Sequence, residues 1–92
     1  MPCEQSAYAS VGARHVSAEG CQFVVEREMP AKGERFAFHV DGRVAVTGTV
    51  RWVVSDRIGF AFDRLIDREM QTALLARSQG FRGIEIYPVS GA

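Results

Sequence analysis

Between Arg43 and Val54, apolar and polar residues alternate with a period of two. Val44, Val46, Val50, Trp52 and Val54 fall on one side, with Gly48 among them. Arg43, Thr47, Thr49 and Arg51 fall on the other. Successive side chains of a strand point to opposite faces, so this run requires a sheet with one buried face. The pattern is held for about twelve residues, longer than the usual strand of roughly 5–6. Gly48 has no side chain to pack, and a bend or bulge is expected there. Trp52 shares the valine face and is expected in the core rather than as an exposed stacking platform.

Shorter runs flank this one. Cys21, Phe23 and Val25 share a face opposite Gln22 and Glu26, and Phe36, Phe38 and Val40 alternate with Arg35, Ala37 and His39. Pro30, Lys32 and Gly33 mark the connection between them. Asp41-Gly42 signals a hairpin, because glycine tolerates the positive φ of tight turns. Ser55-Asp56 turns the chain, and Ile58, Phe60 and Phe62 then alternate with Arg57, Gly59 and Ala61. After Asp63 the period changes. Ile66, Met70, Ala73 and Leu74 share one helical stripe. Asp67 suits an N-cap or a first-turn acid and Gly80 a stop, which predicts a helix from about Leu65 to Gln79.

One apolar face per strand marks antiparallel sheets, whereas parallel strands read as continuous apolar runs. The expected fold class is mainly β: a small antiparallel β-barrel of five to six strands with one C-terminal α-helix closing an open end. Its core would hold Phe23, Phe36, Phe38, Val50, Trp52 and Phe60. Residues 1–9 read as a flexible N-terminus and 10–80 as the barrel plus helix. Residues 81–92 form a tail whose Ile84, Ile86 and Pro88 suit an edge strand or a segment lying loosely on the barrel.

Composition narrows the function. Ninety-two residues make one domain, and a chain this small has a thin core. Eleven basic residues balance eleven acidic ones, which argues against a general binder of DNA or RNA, since phosphates demand a basic excess. Cys3 and Cys21 make no disulfide framework, and a reduced buried thiol is expected at Cys21. With His15 and His39 they form no metal pattern. No secretory signal and no membrane-length apolar run is present, so a cytoplasmic protein without membrane insertion is expected. No nucleophile motif, phosphate loop or dinucleotide fingerprint occurs, so the chain is not expected to be an enzyme. Arg43, Arg51, Arg57 and Arg64 are read as a solvated face balanced by Asp41, Asp56 and Asp63 rather than as a basic patch.

The stretch His15-Val16-Ser17-Ala18-Glu19-Gly20-Cys21-Gln22-Phe23 resembles the [Asp/Asn]-x-Ser-x-x-Gly turn of PilZ domains. Downstream, Gly48-Thr49-Val50-Arg51-Trp52-Val53 followed by Ile58-Gly59-Phe60-Ala61-Phe62 is similar to that family's paired strands, and a helix after Asp63 matches the family order. The resemblance covers roughly residues 10 to 79. It implies a small β-barrel and, as ligand, cyclic di-GMP. The family's site has two halves: an Arg-x-x-x-Arg segment before the first strand, and the Ser-x-x-Gly turn. Arginine suits the first half because its planar fork pairs with phosphate and also lies flat on a base.

This sequence departs from the family twice. No arginine or lysine precedes Arg14, and the N-terminal part is short for a complete first strand. His15 stands where the family has a carboxylate or amide, and an imidazole cannot accept the two hydrogen bonds a carboxylate takes from a guanine edge. The family positions present are Arg14, His15, Ser17 and Gly20, with Arg14 a substitute cation. The resemblance thus implies a receptor or adaptor of the cyclic di-GMP signalling class with weak or lost nucleotide binding and no other cofactor. The alternative is an adaptor working through protein contacts, using the edge left by a short first strand or the helix face. Self-association through such an edge would make it a homo-oligomer.

Overall fold

The computed structural model describes residues 8–26, 28–40, 45–79 and 83–89. The elements in chain order are β1 (Ala9–Arg14), β2 (Gly20–Val25), β3 (Arg35–Phe38), β4 (Val46–Val54), β5 (Arg57–Phe62), α1 (Arg68–Ser78) and β6 (Ile84–Pro88). The six strands close into an antiparallel barrel in the order β1-β2-β5-β4-β3-β6. The expected Asp41-Gly42 hairpin, the Gly80 stop and Cys3 lie outside the described residues.

The period-two patterns build this barrel directly. Inward positions on the strands are buried: Phe23, Phe36, Phe38, Ile58 and Ile86 have no exposed surface. Phe38 sits among Phe23, Phe60 and Phe62 at ring-centroid distances of 5.7, 6.2 and 6.2 Å, and such pairs add about 0.5–1.5 kcal/mol beyond area burial. Among the described residues no polar or charged residue is buried. The core is held by apolar burial, and polar contacts tie down its ends.

Two strand expectations are corrected. Ile84–Pro88 is not an edge strand or a loose tail. It pairs with β1 through Ala9↔Ile86 and with β3 through Phe38↔Ile86, and it buries Ile84 and Ile86. That double pairing also removes the open edge expected beside a short first strand. β1 forms six residues long and is bonded on both flanks, to β2 and to β6.

The second correction concerns Trp52. The pairing of β4 with β5 runs Val50↔Phe60 and then Trp52↔Gly59, so Arg51 is an extra residue, a β-bulge. One inserted residue reverses which face each later side chain occupies. Before the bulge Val46 and Val50 point inward. After it Val53 packs on the core, while Trp52 is 37% exposed and Val54 62% exposed. The irregularity expected at Gly48 thus falls at Arg51 and carries Trp52 to the outer wall.

The helix starts three residues later than the stripe suggested. The Asp67 carboxylate accepts from the Met70 N–H at 2.8 Å, an N-cap that fixes the start. Ile66, just before it, instead donates its N–H to the Ala18 carbonyl at 3.0 Å. Leu74 is fully buried, with Ile66, Met70 and Ala73 packed beside the core. At the other end the Ser78 hydroxyl donates to the Leu74 carbonyl and accepts the Ala13 N–H at 2.9 Å, fastening the helix to β1.

Candidate functional site

The chain leaves β1 at Arg14 and re-enters the sheet at Gly20. His15 turns the corner with φ 53°, a left-handed conformation that costs most residues about 1–2 kcal/mol and suits Asn or Asp better than others. Ser17 then closes the turn on itself. Its backbone N–H donates to the Gly20 carbonyl at 2.8 Å. Its hydroxyl donates to the same carbonyl at 3.2 Å and accepts from the N–H groups of Glu19 and Gly20 at 3.3 Å each. The neighbouring carbonyls of Ala18 and Glu19 accept from Ile66 and Phe62. Gly20 pairs with Ala61, and a Cβ on it would stand 2.3 Å from the Phe60 carbonyl oxygen, so no other residue fits without a backbone shift.

The four sequence-predicted positions are therefore split between two tasks. Ser17 and Gly20 are brought together and serve the turn. Arg14 and His15 are exposed and line a groove against the end of α1, with Glu26, Ser78 and Gln79. Among the described residues that line it, no second arginine lies beside Arg14.

Strand register adds residues that sequence reasoning missed. Arg14 pairs with Gln22, Gln22 with Gly59, and Gly59 with Trp52, one row across the outer wall of four strands. Arg14 and Trp52 are thus three strand steps apart along that wall. The Trp52 indole lies over Gly59, where a Cβ would come within 2.2 Å of the ring nitrogen. Trp52 also lines a shallow hollow with Gln22, Val54 and Arg57. The bulge that exposes Trp52 leaves no mark in the sequence alternation, but Gly59 on the facing strand was a usable signal for a large side chain lying across it.

Arg57 approaches Asp56 loosely at 3.9 Å, Arg64 lines a groove beside the start of α1, and Arg43 and Asp41 lie outside the described residues. Asp63 is taken by Arg35 of β3, at 2.5 and 3.2 Å, and by the Thr47 hydroxyl at 2.7 Å. The Arg35 guanidinium first, then the Thr47 hydroxyl, hold the Asp63 carboxyl below the usual carboxylate range. Burial pushes the Cys21 thiol up to about 12, which leaves it a packing residue. Among the described residues no cluster of His, Cys, Asp and Glu could hold a metal ion, and no helix is long and apolar enough to cross a membrane.

A closed six-stranded barrel with one packed helix and a Ser-x-x-Gly turn between its first strands defines a small binding module. The PilZ domain family matches residues 3–78, and the chain belongs to that family. PilZ domains are non-catalytic modules of cyclic di-GMP signalling. Comparison with curated proteins found no match, and neither did comparison with solved structures.

Proposed function

We propose that this chain is a receptor or adaptor domain of the cyclic di-GMP signalling class whose nucleotide binding is weak or lost. The observation that carries this reading is how the motif residues are used. The Ser17 hydroxyl is engaged three times within its own turn, and His15 replaces the carboxylate or amide at the motif's head. A charge-assisted hydrogen bond contributes about 1.5–3 kcal/mol. Residues 1–13 hold no arginine or lysine. With no guanidinium from residues 1–13 and no carboxylate at position 15, binding through these residues forgoes several kcal/mol, and each 1.4 kcal/mol or so is tenfold in affinity. Arg14, His15, Ser17 and Gly20 are the family positions through which residual binding would act.

Isothermal calorimetry with cyclic di-GMP at high micromolar protein tests this directly. The expected result is no saturable heat, or a weak isotherm that strengthens in His15→Asp. A tight saturable isotherm for the wild-type chain would overturn it.

The second reading is an adaptor that acts through protein contacts. It is favoured by one observation: Leu65, in the connection between β5 and α1, is 74% exposed although the backbone around it is firmly bonded.

A further inference from the structure

We propose that the groove between β4 and the start of α1 docks a segment of a partner protein that presents an apolar side chain beside a carboxylate. The inference deepens the adaptor reading, on which it rests, and it is independent of whether nucleotide binds.

The groove is an open depression of about 840 Å³. Val46, Ile66 and Met70 supply its apolar floor and Leu65 its rim. The connection that carries Leu65 is fixed on both sides. Asp63 donates its N–H to the Thr47 carbonyl at 2.9 Å, and its carboxylate is held by Arg35 and Thr47. Ile66 donates to Ala18, and Asp67 caps the helix. A backbone so held presents its leucine to solvent without freedom to fold it away. An ordered apolar site of this kind loses little conformational entropy when it is covered, and exposed apolar patches rimmed by polar groups mark interaction sites.

The charges choose the occupant. Asp63 is offset by Arg35. Asp67 faces the helix N-terminus, where its carboxylate accepts the Met70 N–H. Arg64 lines the same groove, and no carboxylate among the described residues pairs with it. Among the described residues, Arg64 is therefore a groove cation with no carboxylate partner, and it stands beside the apolar floor. A partner with only apolar groups would strip water from Arg64 without replacing it. A basic partner would meet like charge. An aliphatic or aromatic anchor with an adjacent Asp or Glu satisfies both parts of the site. A lipid surface is disfavoured, because one leucine and one arginine fall short of the several basic residues that anionic membranes require.

The test is to pan displayed random short peptides on the immobilised full chain, then measure the best synthetic peptide by calorimetry. Selected peptides are expected to join an apolar residue to Asp or Glu. Their affinity should fall about tenfold or more on Leu65→Lys and on Arg64→Glu, as for central contact residues. A peptide with its acid changed to Lys should recover on Arg64→Glu. Leu65 and Arg64 are exposed, and unchanged thermal melting would show that both variants fold. An absence of enriched peptides, or equal binding to both variants, overturns the proposal. Peptides that ignore these variants but fail on Trp52→Ala would move docking to the outer wall, refuting the groove and leaving the adaptor reading intact. Concentration-dependent elution abolished by Leu65→Lys would instead assign the groove to a second copy, which also overturns it.

Discussion

Replacing Ser17 by alanine separates a turn residue from a ligand residue. The hydroxyl makes one donated and two accepted bonds, at 3.2, 3.3 and 3.3 Å, all in an exposed turn. A net intramolecular hydrogen bond contributes about 0.5–1.5 kcal/mol, and these three are long and wetted, so together they count as about one good bond. The 2.8 Å backbone bond from Ser17 to Gly20 survives the substitution, as do the bonds from Phe62 and Ile66 to the turn. The expected cost of Ser17→Ala is thus about 0.5–1 kcal/mol, close to the loss of a helix cap, which removes a similar side-chain oxygen. For a domain of this size each kcal/mol moves the melting temperature by about 4–8 °C, which gives a fall of about 2–8 °C. Thermal melting followed by circular dichroism, with and without cyclic di-GMP, measures it. The fall should appear in full without nucleotide. An unchanged melt without nucleotide, together with a ligand-induced rise in wild type that Ser17→Ala abolishes, would refute the argument, because the hydroxyl would then serve the ligand and not the turn.

Four further outcomes follow from single residues. Gly20→Ala should destabilise by about 2–3 kcal/mol in urea denaturation, because its Cβ would meet the Phe60 carbonyl at 2.3 Å and that strand cannot yield cheaply. Ser55→Gly should stabilise by about 0.5–1 kcal/mol in the same assay. Ser55 holds φ 58° in the two-residue turn between Val54 and Arg57, which glycine adopts without strain. Asp63 contributes stability above the ordinary Asp pKa of about 3.9 that is lost as pH falls through its depressed folded value. The stability gap between wild type and Asp63→Asn should therefore be constant near neutrality and shrink below about pH 4. In a Cys3→Ala chain, Cys21 should react with a thiol reagent at pH 8 only after unfolding, since burial has pushed its pKa up to about 12; prompt labelling of the folded chain would contradict this.

Strands β2 to β5 and the helix were legible because each is a local pattern. Phe23, Phe36, Phe38, Ile58 and Phe60 all face the core as their alternation requires, and Asp67 caps α1 from the position its type suggests. The turn was legible as well, because Ser17 and Gly20 do their work within four residues of one another. The site around that turn was less so. Whether Ser17 serves backbone or ligand depends on hydrogen bonds that only coordinates display. The conformation that favours Asn or Asp at position 15 shows only in the φ of His15.

What the sequence determined by itself was periodicity: a β-barrel class, one helix, a glycine turn and a neutral charge balance. What the tertiary structure decided was where those pieces meet. A single extra residue at Arg51 turned Trp52 from core to surface, since a period of two keeps no memory across an insertion. β6 became the closing stave because β1 and β3 both left backbone groups to be paired, a demand that arises only when the sheet curls round on itself. Arg35 found Asp63 across 28 positions of chain, and among the described residues Arg64 was left without a carboxylate beside an apolar groove. Such pairings follow from distance in space, which alternation along a chain does not encode.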